Sequence, residues 1–329
     1  MGVMLGLDPV CWKRLVAAGG VAIGLLAAPQ LAKAQTYGIA TMQPGTLSHT
    51  SGTAIAKVLY DKLQFQARVQ PTAGESTLLP LVNNGEIDVG IANVFEVIDA
   101  YEGRSLGKQD KLRIVAAIHP LRVGFFVRKD SGIKTVADLK GKRITLGFST
   151  QLTLQRVAMA ILATAGLGLN DVRAVQVPNV IRAAEEMANG NADAFLFGLG
   201  AAKVKEVDAT VGGLGFAGVV DTPEALAAAR KILPQMYLTT VNPRPGETGI
   251  LERTVVPTYD NTLSTNSAVK DDIIYKIVDA LVANKSDLAA TAPWLMELNA
   301  DQLYKTLPVP YHPGAVKWFN EKNIAQKSN

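Results

Sequence analysis

Cysteine is almost missing from this chain: its 329 residues contain one, Cys11. That residue precedes an apolar run that reads as a cleavable leader, too early for a lipoprotein anchor, so the mature chain is expected to carry no thiol. Disulfide scaffolding and thiol catalysis are thereby excluded. Charge is sparse as well, at 19% of residues, with a formal net charge of +4 and no dense cluster of Lys and Arg. Nucleic acid is therefore not an expected partner. The three histidines, His49, His119 and His312, are far apart and lack ligand spacing, so neither a metal nor a cofactor is expected. No G-x-S-x-G elbow, H-E-x-x-H pair or Walker loop occurs. Gly213, Gly215 and Gly218 do spell G-x-G-x-x-G, but a helical stretch precedes them and a strand-like one follows, the reverse of a dinucleotide fingerprint. With no nucleophile–base pair to name, catalysis is not expected.

A membrane-spanning run is also missing from the N-terminus. After Lys13 and Arg14, the apolar stretch Leu15 to Ala28 is about 14 residues, short of the roughly 20 a bilayer needs. It closes on Ala32-Lys33-Ala34, the small-x-small pattern of a signal peptidase site. Residues 1–34 are read as a signal peptide, cleaved near Ala34/Gln35, and the product as a periplasmic protein.

What the rest contains is a folded, apolar-rich chain, 48% hydrophobic, long enough for two domains. "TYGIAT", "QARVQPT" and "EIDVGIAN" read as strands separated by helices, and "GKRITLGF", "VRAVQVP" and "ADAFLFGLG" repeat the scheme. This alternation implies parallel α/β sheets with right-handed crossovers. The first helix is expected over "TAIAKVLYDKL", capped by Ser51 or Thr53, with "MQPGTLSHTSG" before it as a loop. "NNGEIDVGIAN" and "ANGNADAFLFG" are the same device twice: Gly85 and Gly190 lie 105 residues apart, as do Asp88 and Asp193. Each glycine lets a helix end in a left-handed turn, and each aspartate stands at the mouth of the next strand.

Two extended segments, "LRIVAAIHPLRVGFFVRKDSG" and "RTVVPTYDNTLSTNS", read as crossings between lobes, the first as two strand-like runs parted by His119-Pro120. The expected organisation is lobe 1 at 35–120 plus 255–329 and lobe 2 at 121–254, a two-lobed α/β binding fold with a two-segment hinge. A ligand would lie at the C-terminal ends of the parallel strands. The loops there supply Thr41, Gln43, Thr46 and His49 after the first strand, and Asn93 and Phe95 after the third. From the second lobe come Ser149, Thr150, Gln151 and Thr153, then Phe197 and Gly198. Hydroxyls beside helix N-termini suit an anion, commonly a carboxylate. Arg122, at the start of "VGFFV", could clamp it with two parallel bonds, or could pair with a nearby acid. Arg156 and Arg182 read as solvent-facing helix residues, and His312 as fixing a turn.

Four passages, "NNGEIDVGIANVFEVIDAYEG", "DSGIKTVADLKGKRITLGF", "NGNADAFLFGLG" and "PVPYHPGAVKWFNE", resemble the TAXI-type solute receptors of TRAP transporters. The resemblance implies a monomeric periplasmic receptor that closes around a small organic acid and passes it to a TRAP membrane permease. Two loops depart from the family pattern: "PGTLSHTSG" lacks a tyrosine pair and "STQLT" replaces a G-S-G-T-like run, so substrate identity does not carry over. An ABC-importer receptor, a sensor-linked receptor and a periplasmic enzyme on the same scaffold are the alternatives.

Overall fold

The computed structural model describes residues 36–105 and 107–328; the expected leader, with Cys11 and the Ala32–Ala34 motif, lies outside them. The first lobe opens with β1 (Thr36–Thr41), α1 (Leu47–Leu63), β2 (Gln66–Pro71), α2 (Glu75–Asn83), β3 (Val89–Asn93) and α3 (Val94–Glu102). The long strand β4 (Leu112–Arg128) leads to β5 (Arg143–Gly147), α4 (Leu154–Ala163), β6 (Arg173–Val177), α5 (Val180–Ala188) and β7 (Ala194–Gly198). Next come α6 (Ala202–Val211), β8 (Leu214–Phe216), α7 (Pro223–Arg230) and β9 (Tyr237–Val241). A second long strand, β10 (Thr254–Asn266), is followed by α8 (Asp271–Ala283), α9 (Lys285–Thr291) and α10 (Pro313–Glu321).

The strands run in the order β2-β1-β3-β10-β4-β7-β5-β6, with β8 on β4 and β9 on β10. Pairs within each βαβ unit are parallel, as the alternation requires. The two long strands link the lobes. Leu112 to Arg122 of β4 pair with β10, whereas Val123 to Arg128 pair with β7 and β8. His119-Pro120 does not part β4 into two runs. The register skips Ile118 beside Pro120, and a bulge is where a sheet tolerates a residue without an N–H.

The repeated device is visible as matched hydrogen bonds. Asp88 Oδ2 accepts from Gly38 N at 2.7 Å, and Asp193 Oδ2 accepts from Arg143 N at 2.8 Å, each across 50 residues of chain. Gly85 and Gly190, at φ +76° and +78°, turn the chain between helix and aspartate. Each aspartate thus ties the first strand of its parallel set, β1 or β5, to the second strand after it, β3 or β7, at the sheet end opposite the strand C-termini.

One element begins earlier than its sequence suggests. α1 starts at Leu47, and its cap is Thr46, whose side chain accepts from His49 N at 3.3 Å; Ser51 and Thr53 lie inside the helix. Gly52 resembles a helix breaker, but its missing side chain is a packing feature. A Cβ there would stand 2.5 Å from Thr41 Cγ2.

Candidate functional site

Five helices, α1 to α5, begin around one cavity between the lobes. Thr46, Leu47 and Ser48 of α1, Glu75 of α2 and Asn93 at the head of α3 line it from the first lobe. Gln151, Leu154, Val180, Phe197 and Gly198 line it from the second, and Leu121, Val123, Tyr259 and Asn261 of the two long strands form its back. This follows from parallel topology, which gathers strand C-termini and helix N-termini at one sheet end. The free space is about 40 Å³, room for only a few waters.

Most polar groups facing this space are already occupied. Thr46 Oγ1 donates to Gln43 O at 2.7 Å, and Ser48 Oγ donates to Ile91 O at 3.0 Å. Gln151 Oε1 accepts from Val180 N at 2.8 Å. Glu75 Oε1 accepts from Asn93 N at 2.8 Å, and its other oxygen accepts from the Asn93 side chain. Burial, reinforced by the neighbouring carboxylate of Glu96, pushes the Glu75 carboxyl up to about 8. Glu96 is raised by burial too, against hydrogen bonds from Ser76 and Thr153. Among the described residues lining the cavity there is no Lys or Arg.

The lobes are joined by direct contacts at the cavity rim. Thr153 N donates to Glu96 Oε2 at 3.0 Å and Leu152 N to Ser76 Oγ at 3.0 Å, so first-lobe side chains occupy the start of α4. Ser76 N donates back to Thr150 O at 3.3 Å, and Lys203 N donates to Gly45 O at 3.1 Å. Arg156 binds Asp99 across the same gap, Nη1 to Oδ1 at 2.7 Å. Arg156 is therefore not the solvent-facing helix residue its sequence context suggests. Arg182 is: half exposed, it pairs along its own helix with Glu185 and Glu186.

The cavity collects Thr46, Asn93, Gln151, Phe197 and Gly198 from the thirteen residues expected at a ligand. The others lie near it without lining it. Thr41 is buried beneath α1, and Phe95 packs its ring 4.9 Å from Tyr259. Thr150 Oγ1 donates to Ala73 O and Pro178 O, while Thr153 is committed to Glu96. His49 is half-buried on α1, Gln43 accepts from Thr46 through its carbonyl, and Ser149 is exposed.

Arg122 sits in a neighbouring groove of about 550 Å³ with Lys205, Arg244, Trp294 and Glu297. Its Nη1 and Nη2 each donate to Glu297 at 2.8 Å, so its two-bond clamp already holds a carboxylate of the protein. His312 caps α10, accepting from Gly314 N at Nδ1, which fixes the turn there.

Sequence reasoning missed Glu75, Tyr259 and Asn261. The polar run "YDNT" inside a β-branched strand was the available signal for the last two. Asn261 is the more informative. His119 Nδ1 donates to Pro120 O at 2.9 Å, which leaves Nε2 to accept from Asn261 Nδ2 at 3.2 Å. That fixes the amide, and its Oδ1 is buried without a hydrogen-bond partner among the described residues.

The model of the NMT1-like family matches residues 39–322. Among solved structures, the chain is similar to PhnD1 from Prochlorococcus marinus in complex with methylphosphonate, at 11% identity and TM-score 0.53, over 88% of this chain and 99% of that one. It is similar to AbpA, an amino acid ABC transporter substrate-binding protein from Streptococcus pneumoniae bound to L-arginine, at 12% identity and TM-score 0.50, over 80% and 96%. A third likeness is to SsuA, the periplasmic aliphatic sulphonate binding protein from Escherichia coli, at 16% identity and TM-score 0.46, over 87% and 83%. The fold is the two-lobed α/β fold of solute-binding proteins. No helix among the described residues is long and apolar enough to cross a membrane.

Proposed function

The chain belongs to the NMT1-like family, and on that premise we propose that it is a periplasmic solute receptor which captures a small organic acid by closure of its lobes and does no chemistry on it. Lobe 1 is 35–120 plus 255–329 and lobe 2 is 121–254, hinged where β4 and β10 change partners. The carrying observation is the narrow cavity at the helix N-termini, bridged at its edge by hydrogen bonds reaching from lobe to lobe. A space of about 40 Å³ admits no organic acid unless the lobes part. The ligand's carboxylate goes to the start of α1, where the N–H groups of Leu47 and Ser48 have no acceptor within the helix. At α4 the amides of Leu152 and Thr153 are already taken by Ser76 and Glu96.

Delivery is to a TRAP permease, a reading that rests on the "NGEIDVGIAN" and "PVPYHPGAVKWFNE" passages. The likeness to AbpA favours the rival route, an ABC importer. A neighbouring gene for a fused multi-spanning permease supports the first, and one for an ATPase supports the second. Binding itself is tested by thermal shift of residues 35–329 against mono- and dicarboxylates, since a ligand of the folded form raises its Tm. At least one acid should raise Tm, and Gly198→Trp, which fills the cavity against Leu47, should abolish the rise. A panel in which no acid shifts the wild type defeats the organic-acid reading.

A further inference from the structure

We propose that the solute enters the cavity with a hydrogen-bond donor foremost, an N–H or O–H group read by Asn261 Oδ1; this rests on the receptor reading above. Asn261 is 2% exposed, and its Oδ1 is a buried acceptor with no partner among the described residues. Leaving such an atom dry is costly, and the native fold carries few of them. Its orientation is not free to relieve this. Turning the amide over would set Oδ1 against His119 Nε2, which has no proton to give because Nδ1 carries it towards Pro120 O.

Glu75, 2% exposed, lines the same cavity, but its two oxygens already accept from the backbone N–H and side-chain amide of Asn93, which leaves Asn261 Oδ1 as the acceptor without a partner among the described residues. A ligand ammonium, amide or hydroxyl supplies the donor that Asn261 Oδ1 lacks. The rest of the wall near Asn261, with Leu121, Val123, Leu196 and Tyr259, is apolar or aromatic. A bare carboxylate pushed against Asn261 would set its oxygens against an acceptor that has no proton to give. The acid group of the proposed solute therefore points to α1 and its donor to β10.

The test uses residues 35–329 and an equimolar pool of four kinds of small compound: acids with no other donor, hydroxy acids, amino acids and amines. Retained compounds are identified by mass spectrometry after gel filtration, and affinities follow by calorimetry. Every compound retained through the cavity should carry an N–H or O–H besides any carboxyl. Asn261→Leu should weaken its binding at least tenfold. Asn261→Asp, which keeps an acceptor and adds negative charge, should preserve or tighten it. A retained compound with no such donor, or one bound equally by Asn261→Leu, overturns the proposal while the receptor reading stands. Retention unchanged in Gly198→Trp, or no retention at all, overturns both. Melting curves of each variant separate lost binding from lost folding.

Discussion

Glu75 and His119 are buried ionisable side chains, and each is held in its neutral form. Burial presses the His119 imidazole down to about 4, while Glu75 is raised to about 8. Below about pH 6.5 the unfolded chain takes up a proton at His119 that the fold refuses, so this group favours folding less as pH falls towards 4. Glu75 acts in the other sense. Between about pH 4.3 and 8 the folded chain keeps a proton that the unfolded chain has released, so stability falls as pH rises through that window. The two slopes oppose each other up to about pH 6.5, and above it the slope of Glu75 remains, with Glu96 raised in the same direction. Urea denaturation of the ligand-free protein should therefore show stability falling between pH 6.5 and 8, by about 1.4 kcal/mol per pH unit for one proton. Glu75→Gln should flatten that arm. An alkaline arm equally steep in the variant would show that Glu75 is not its source.

At the scale of the element, the two aspartate ties are where the lobes' shared construction is most exposed to test. Asp88→Ala removes a charge-assisted bond to Gly38 N and should cost about 1.5–3 kcal/mol in urea unfolding. Asp193→Ala should cost less, because its bonds to Arg143 are solvent-exposed and screened. Equal costs would contradict the burial argument.

These ties were legible in the sequence because their signals are local: a capping glycine, an aspartate and a strand, spaced alike in both lobes. The order of strands and helices followed from the same alternation. The start of α1 was not legible, since Gly52 reads as a breaker until Thr41 is seen packed against it. Charge partners were hidden for a different reason. Arg156 meets Asp99 across 57 residues and Arg122 meets Glu297 across 175, and nothing near either arginine announces its acid. Asn93, Gln151 and Gly198 could be placed at the cavity from loop position alone. Asn261 needed the register of β10 against β4, which sets its amide on His119.

At the scale of the whole molecule, capture of a solute requires that the lobes separate as bodies and rejoin. The joined form already has protein–protein bonds at its rim: Thr153 with Glu96, Leu152 with Ser76, Arg156 with Asp99. These bonds lower the free-energy gap the ligand must cover, and the ligand adds contacts available only in the closed form. If both long strands stay continuous through the change, bending falls on the stretch where β4 passes from β10 to β7.

The most direct measurement uses Gly74, the N-cap of α2, whose backbone is extended at φ 177° and so accepts any residue. A Cβ at Gly74 would stand 2.1 Å from Thr150 O on the opposite lobe and 2.7 Å from Gln151 Cγ, so Gly74→Trp is a wedge that forbids the joined form. This variant, as residues 35–329, should stay folded with a Tm near the wild type. Its radius of gyration by small-angle X-ray scattering should exceed the value calculated for the closed structure. A variant that loses its fold, or one that stays folded at the closed radius, would contradict separation of the lobes.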